Sequence, residues 1–396
     1  MRISGSSIVI GLIIGLLIGA PVGWFIHPAY PPAQTNLKTA GSTTVYPLSV
    51  AWSSAYFAAS GGAVKLEVSA GGSGYGRTSA QEGSVDFGAA SSYKDLGADI
   101  VTIPIAADAL AVVTNTNVNG TGGMRLTREQ TLTIFQSNIT TWEDLETEFG
   151  LTIAATGSIN VYVRSDASGT TATFTKWLGE ADYPAGYNWI LGDDELIAWP
   201  GSNVVAAEGN PGVANNVAGD NNGIGYVGFA FTGGLELVTL YNEGNNEWIV
   251  PSPEAAKLAI PDPLPSAGAN LFDSTTTGAY PIARLIFYLV NKNPPPTSFL
   301  RTQYGLVAPL AMRKDTHDFL TWTISETGGQ TLSIIREQVG YLEITGTGAE
   351  GFALERLVDL KPVVAPVVGA PVFGFMALVL NNDRRLIFFK YSFTIS

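Results

Sequence analysis

Hydrophobic and polar positions follow two alternating periods along most of the chain from Leu37 onward. Bulky residues alternate with smaller or polar ones in short runs such as Val64 to Val68, a period that is typical of strands. In other runs, apolar residues recur at helical spacing, for example at Phe174 and Trp177. Because strand-like and helix-like runs follow each other in turn, the pattern predicts an α/β fold.

Small polar residues stand where the predicted strands end. Three of these strand ends lie near Ser42, Ser73 and Asp86, and a fourth lies in the segment Val161 to Leu178, VYVRSDASGTTATFTKWL. In open α/β sheets, ligands lie outside the carboxyl ends of the strands. The strand ends in two separate regions of the chain therefore predict a ligand site to which both regions contribute.

The segment from Val161 to Leu178 has two interpretations. Its pattern predicts a strand, a polar turn and the start of a helix, where unpaired backbone N–H groups can bind an anion. Arg164 and the neighbouring hydroxyl groups would add a positive charge and further donors. The alternative is that Ser168 or Thr170 only caps the helix.

Composition excludes several classes of function. The chain has 396 residues and a formal net charge of -13, which argues against a nucleic-acid partner, because such a partner needs a basic face. It has no cysteine, and its two histidines are His27 and His317. A histidine-based metal site or a Ser-His-Asp triad has almost no side chains to draw on. We therefore predict no catalytic residues and no metal or cofactor.

The N-terminal segment is a candidate membrane anchor. Residues 8–26, IVIGLIIGLLIGAPVGWFI, carry no charge and are long enough to span a bilayer. Arg2 precedes this run, and a Pro-rich spacer at residues 27–36 follows it. We predict that residues 1–36 form an uncleaved anchor and spacer, which leaves the rest of the chain on the outer face of the membrane. The alternative is a signal peptide whose apolar core ends near Ala20.

The C-terminal tail, residues 345–396, contains an apolar stretch that is interrupted by Pro362, Pro366 and Pro371. Two β-rich arms flank Asn381 to Asp383, so the pattern predicts a β-hairpin. The alternative is a second membrane segment, but the proline-free part is too short to span a bilayer.

Five segments, taken together, resemble the substrate-binding protein of phosphate ABC importers, a relative of the periplasmic binding proteins. They are AGSTTVYPL, GGSGYGR, VDFGAAS, RSDASGTTATFTKWL and GIGYVGFAF, in this order. The resemblance covers about Leu37 to Ile344 and implies a type II fold, in which two α/β lobes joined by hinge crossovers close on one phosphate ion. Lobe one would comprise residues 37–117 and 277–344, and lobe two residues 118–276. The implied partners are inorganic phosphate and the transmembrane subunits of an ABC permease.

The resemblance also implies which residues bind phosphate. The positions that match ligands of the family are Thr43, Thr44, Ser73, Asp86, Arg164, Ser168, Gly169 and Thr170, and Asp166 matches the carboxylate that orients the arginine. Asp86 matches the acceptor of the phosphate proton. A carboxylate in that role would disfavour sulfate, since a fully ionised anion has no proton to donate.

Alternatives to phosphate delivery stay open on the sequence alone. The same fold could hold another oxyanion, or it could serve as a sensor or surface-assembly subunit whose tail pairs with a neighbour. An enzyme that uses Ser73 or Ser168 as a nucleophile is disfavoured, because the sequence offers no metal cluster and no nearby histidine base.

Overall fold

The computed structural model describes residues 34–119, 123–181, 183–184, 187–296, 298 and 314–360, together with the backbone of residues 378–380 and 386–388. The predicted membrane anchor at residues 8–26 lies outside this part of the chain. Within the described residues, no helix is both long enough and apolar enough to cross a membrane.

Strands and helices alternate over most of the chain, as the hydrophobic pattern predicts. The strands are β1 (Thr35–Gly41), β2 (Val64–Ala70), β3 (Phe87–Ala90), β4 (Ile100–Thr114), β5 (Arg125–Leu126), β6 (Asn160–Arg164), β7 (Val204–Ala207), β8 (Gly223–Gly228), β9 (Glu236–Leu237), β10 (Thr239–Asn242), β11 (Glu247–Ile249), β12 (Ala283–Asn291), β13 (Leu378–Leu380) and β14 (Leu386–Phe388). The helices are α1 (Tyr46–Ala59), α2 (Gly72–Glu82), α3 (Arg128–Phe135), α4 (Trp142–Phe149), α5 (Gly169–Gly179), α6 (Gly209–Gly219), α7 (Pro253–Lys257), α8 (Lys314–Ile324), α9 (Leu332–Ile335) and α10 (Gly348–Val358).

One large sheet connects the two halves of the chain. Its strand order is β2-β1-β3-β12-β4-β8-β6-β7, with β9 paired to β4. Strands β1, β2 and β3 are parallel to one another, and β6, β7 and β8 form a second parallel group. Strands β12 and β4 lie between the groups and pair antiparallel with each other. The predicted α/β class is confirmed.

Strand β4 is long enough to connect the two halves of the sheet. It pairs with β12 along residues 100–109 and with β8 along residues 110–114. The carboxyl end of β3 lies at Ala90, opposite Phe287 of β12, and that of β8 lies at Gly228, opposite Leu110 of β4. Both parallel groups therefore direct their carboxyl ends toward the middle of β4, where their polar turns meet.

Each half of the sheet has aromatic packing of its own. In the half that contains β3, the ring centroid of Phe87 lies 4.6 Å from that of Tyr288 and 5.4 Å from that of Phe319. In the other half, the rings of Phe174 and Tyr226 stack at 4.5 Å. All five side chains are fully buried, and burial of one such side chain stabilises a fold by about 1.5–3 kcal/mol. All five belong to one continuous buried core, which spans both halves of the sheet and holds the converging turns in position.

The packed chain continues past Ile344, where the predicted lobe one ends. Helix α10 lies against β4 and buries Ala349, Ala353 and Leu357, which follow one another at helical spacing. Residues 348–358 therefore extend this lobe, because their apolar face completes its core. In the tail, the short strands β13 and β14 pair antiparallel.

Candidate functional site

The turn after β1 contacts the second half of the molecule through Asn210 at the start of α6. The side-chain amide of Asn210 donates hydrogen bonds to Thr43 Oγ1 and to Thr44 Oγ1, each at 3.0 Å. The hydroxyl of Thr44 is buried and lies 3.1 Å from that of Thr170 in α5. Three of the predicted ligand positions are thus brought together, two from lobe one and one from lobe two.

The start of α2 brings Ser73 next to the start of α5. Ser73 is buried, and its Oγ accepts a hydrogen bond from Ser91 N at 3.0 Å. A Cβ added at Gly169 would lie 2.5 Å from Ser73 Oγ, so a residue without a side chain is needed for this close approach. The backbone N of Gly74 also donates to the carbonyl of Ala167 at 3.0 Å. The two lobes are therefore in direct contact here.

Ser168 caps α5. Its Oγ accepts hydrogen bonds from the backbone N of Thr170 at 3.1 Å and from that of Thr171 at 3.2 Å. Ser168 therefore caps the helix, as one of the two interpretations of this segment predicts. The same helix start, with the positive end of its dipole, faces the turns of lobe one through Gly169 and Thr170. The start of α5 can therefore be capped by Ser168 and still lie at the cleft between the lobes.

Arg164 and Asp166 form a fork at the end of β6. Arg164 Nε donates to Asp166 Oδ1 at 2.7 Å, Nη2 pairs with Oδ2, and Gly209 N donates to Oδ1 at 3.0 Å. Burial by itself raises the pKa of Asp166, but the hydrogen bonds and the charge of Arg164, with the Gly209 amide, outweigh it and lower the pKa. Asp166 therefore stays ionised, which suits the predicted role of orienting the guanidinium.

Lobe one approaches this fork at Gly72. The residue has φ +85°, and a Cβ there would lie 2.6 Å from Asp166 Oδ2 and 2.6 Å from the carbonyl oxygen of Ala167. Both the backbone conformation and the lack of space require glycine. The Gly-rich turn before Ser73 therefore allows the lobes to close on the Arg164 fork.

Asp86 lies away from this cluster. Its Oδ2 accepts a hydrogen bond at 2.8 Å from the backbone N of Lys38, a residue within β1. Because β1 and β3 are parallel and Asp86 precedes β3, its carboxylate is on the amino-terminal side of the turns that converge. In contrast to the prediction, the structure does not place Asp86 where it could accept a proton from a ligand in the cleft. The polar turns that converge lie at the other end of this strand.

A buried ion pair on the two connecting strands was missed by the sequence analysis. Asp108 of β4 and Arg284 of β12 are cross-strand neighbours, and Arg284 Nε donates to Asp108 Oδ2 at 2.8 Å. Arg284 Nη1 donates to Thr170 Oγ1 at 3.1 Å, and Nη2 donates to Thr44 Oγ1 at 3.3 Å. Complete burial raises the pKa of Asp108, and the charge of Arg284 opposes that rise. The guanidinium contacts predicted ligand positions of both lobes.

The sequence carries a signal for this ion pair but none for Asn210. Asp108 is the lone charge between Ile100 and Thr114, and Arg284 is the lone charge between Ala283 and Asn291. A charge within a buried strand needs a partner, so the sequence indicates that each residue is paired but does not identify its partner. Asn210 lies in a polar, Gly-rich stretch where nothing distinguishes it from its neighbours.

An ion pair joins the lobes beside the cluster. Arg77 of α2 pairs with Glu195 and donates to the carbonyl oxygen of Ser92 at 2.6 Å. Burial lowers the pKa of Arg77 to about 10, which leaves it protonated at neutral pH. A cavity of about 290 Å³ lies next to this pair, and Lys176 and Arg284 also line it. Among the residues that the structure describes, no group of three or more acidic or histidine side chains could hold a metal ion.

Comparisons with known proteins agree with this architecture. A model of the PBP superfamily domain matches residues 28–327. The phosphate-binding protein PstS of Xylella fastidiosa is 31% identical over 313 residues, which cover 74% of this chain and 80% of the relative. The PstS protein of Methanocaldococcus jannaschii is 29% identical over 296 residues, with 66% of this chain and 72% of the relative covered.

Solved structures show the same fold at lower identity. A high-affinity periplasmic phosphate-binding protein bound with phosphate superimposes with a TM-score of 0.61 at 17% identity, covering 81% of this chain and 93% of that protein. A phosphate-binding protein from Stenotrophomonas maltophilia gives a TM-score of 0.56 at 18% identity, with the same coverage. The predicted two-lobed, periplasmic-binding-protein-like fold is confirmed.

Proposed function

Because the chain belongs to the family of phosphate-binding proteins of phosphate ABC importers, we propose that it binds inorganic phosphate between its lobes and delivers it to an ABC permease. One observation carries the proposal: hydroxyl groups from both lobes meet at one place, where Thr44 Oγ1 lies 3.1 Å from Thr170 Oγ1. The Xylella fastidiosa and Methanocaldococcus jannaschii relatives are named as phosphate-binding proteins, which supports this ligand.

Affinity comes from many donors in a cleft that excludes water. Arg164 supplies a charged donor, and the start of α5 supplies the hydroxyl groups of Ser168 and Thr170 and the positive end of the helix dipole. Such charge-assisted hydrogen bonds are stronger when little water competes for them. The proposed function is the reversible binding of phosphate, without a chemical reaction.

Release requires the lobes to separate. The cleft is closed by direct contacts, including the hydrogen bond from Gly74 N to the Ala167 carbonyl and the ion pair of Arg77 with Glu195. A phosphate ion can enter and leave only if these contacts break, which is a hinge motion about β4 and β12. Delivery to the permease would couple this opening to docking on the transmembrane subunits.

We also propose that the protein works outside the cytoplasm, held on the outer face of the membrane by residues 8–26. The uncharged run, Arg2 before it and the Pro-rich spacer after it support this placement. N-terminal sequencing of the native protein tests it, with Met1 or Arg2 expected as the first residue. A mature chain that begins between Pro21 and Gln34 would show a cleaved signal peptide instead.

Calorimetric titration of the full chain with phosphate tests the ligand. We expect one phosphate per chain and a dissociation constant in the micromolar range or tighter, which corresponds to at least about 8 kcal/mol. The matched control is Tyr93→Phe, a change at a half-exposed residue outside the proposed phosphate contacts, which should bind as the native chain does. No heat of binding at millimolar phosphate, with the fold intact by circular dichroism, would contradict the proposed function.

A further inference from the structure

The amide of Asn210 has one orientation in this network. Its Oδ1 accepts a hydrogen bond from Gly228 N at 3.0 Å. Since a backbone N–H can only donate, the oxygen must face Gly228 and the NH2 group must face the threonines. Thr43 Oγ1 and Thr44 Oγ1 therefore both act as acceptors toward Asn210.

Thr43 is left with a hydrogen to donate and no lone pair to offer. Its Oγ1 accepts from Asn210 N at 3.3 Å and from Asn210 Nδ2 at 3.0 Å. A hydroxyl group has two lone pairs and one hydrogen. With both lone pairs occupied by nitrogen donors, the hydroxyl can contribute only its hydrogen to a ligand.

Arg284 fixes the hydrogen-bond direction at Thr44 and Thr170, because it donates to both hydroxyl oxygens. Thr44 Oγ1 accepts from Asn210 Nδ2 and from Arg284 Nη2, so its own hydrogen goes to Thr170 Oγ1 at 3.1 Å. Thr170 Oγ1 then accepts from Thr44 and from Arg284 Nη1. Both of its lone pairs are occupied, and its hydrogen is the group that remains.

Ser168 completes the pattern. Its Oγ accepts from the backbone N of Thr170 and from that of Thr171, so it too retains only a hydrogen. The carboxylates that border the cluster, Asp108 and Asp166, are each paired with an arginine. Asp86 precedes β3, at the end of the strand away from the turns, and accepts a hydrogen bond from Lys38 N.

We propose that the hydroxyls of Thr43, Ser168 and Thr170 form a donor-only site, which binds tetrahedral dianions without accepting a proton from the ligand. The proposal rests on the proposed function, since it concerns the same cleft, and it names the ligand class more closely. Selection of phosphate over sulfate by a ligand proton needs an acceptor in the site. Asn210, Arg284 and the backbone at the start of α5 occupy the lone pairs of these three hydroxyls. Ser73 Oγ accepts from Ser91 N and lies 3.3 Å from Ser91 Oγ, where either hydroxyl can donate, so this pair can offer a hydrogen to sulfate or a lone pair to phosphate. Sulfate and phosphate dianions are therefore treated alike.

Competition between phosphate and sulfate on the native full chain is the first test. We expect the two dissociation constants at neutral pH to lie within about tenfold of each other, a difference below about 1.4 kcal/mol. Phosphate binding with a preference of about a hundredfold or more over sulfate would overturn the donor-only site and leave the proposed function intact. Failure to bind phosphate at all would instead contradict the proposed function.

The variant Asn210→Asp reverses the hydrogen-bond direction with little change of shape. The new carboxylate still accepts from Gly228 N but now also accepts from the hydroxyls of Thr43 and Thr44, which frees a lone pair on each. Phosphate can donate its proton to these oxygens, and sulfate cannot. We expect both affinities to fall and the preference for phosphate to rise by about tenfold or more. An unchanged ratio in a folded variant would overturn the proposal.

Asn242→Asp is the matched control. Asn242 is also fully buried, and its amide donates to the carbonyl oxygens of Ser274 and Ala279, away from the cleft. A carboxylate there should lower the stability without changing the ratio of the two anion affinities. A ratio that shifts as much as in Asn210→Asp would mean that the shift does not come from the cleft and would overturn the proposal.

Discussion

Two of the arginine–carboxylate pairs that border the cleft differ in how the chain brings them together. Arg164 and Asp166 are two residues apart in one turn, whereas Arg284 and Asp108 are 176 residues apart and meet across β12 and β4. The local pair lowers the pKa of its carboxyl group, but burial raises the pKa of Asp108 despite its arginine. The difference shows that one kind of ion pair can serve two purposes.

The environment of each carboxylate explains the difference. The Asp166 side chain is 15% exposed, whereas that of Asp108 has no exposed surface. The cost of removing a charge from water can exceed the attraction between the charges of a fully buried pair. We infer that the local pair presents a charged donor to the ligand, whereas the cross-strand pair fixes the middle of the sheet and its hydroxyl network.

Removal of Arg284 should have the largest effect. Arg284→Ala leaves Asp108 buried without its partner, which should lower the free energy of unfolding by about 3–5 kcal/mol in urea denaturation. The double variant Asp108→Ala with Arg284→Ala removes both charges and should recover at least about 1 kcal/mol of that loss. If the single variant loses less than about 1 kcal/mol, the pair does not hold the sheet as inferred.

Removal of Arg164 should affect binding more than folding. Arg164→Ala should weaken phosphate binding by about 2–5 kcal/mol, because it takes a charged donor from a site with little water. Asp166 keeps its hydrogen bond from Gly209 N and some exposure, so the loss of stability should be smaller than for Arg284→Ala. Calorimetry and urea denaturation measure the two effects. Native-like phosphate binding would mean that the turn of Arg164 only caps α5.

Asp166→Asn should lower stability in a pH-dependent way. The amide cannot replace the charged partner of Arg164, so the free energy of unfolding should fall by about 1–2 kcal/mol at pH 7. Because the pKa of Asp166 is lowered by folding, its contribution is complete above the unfolded value of about 3.9 and is lost as the pH falls below it. Urea denaturation from pH 7 to about pH 3 should show the two proteins converging. A constant difference would contradict this assignment.

Asp86→Asn should have the smallest effect. The amide oxygen can still accept the hydrogen bond from Lys38 N, so stability should change by less than about 1 kcal/mol. The ratio of phosphate to sulfate affinity should stay within about twofold of the native value, as measured by competition. A tenfold change would show that Asp86 reaches the ligand after all.

Local interactions account for what the sequence could predict about the site. The α/β class follows from the alternation of strand and helix periods, and the polar turns follow from composition at the strand ends. Arg164, Asp166 and Ser168 lie within one strand–turn–helix segment, so their contacts depend on a few backbone angles. These contacts are recognisable from residue types at fixed spacing.

Tertiary structure decided the rest, because it depends on strand order and register. Asp86 matches a phosphate ligand of the family in sequence. The parallel pairing of β1 with β3, however, puts it at the amino-terminal end of these strands, away from the turns. Asp108 and Arg284 meet only because β4 and β12 pair antiparallel in one register, and a shift of one residue would put their side chains on opposite faces. Pairing between strands so far apart in the chain is set by the whole sheet, which no local pattern encodes.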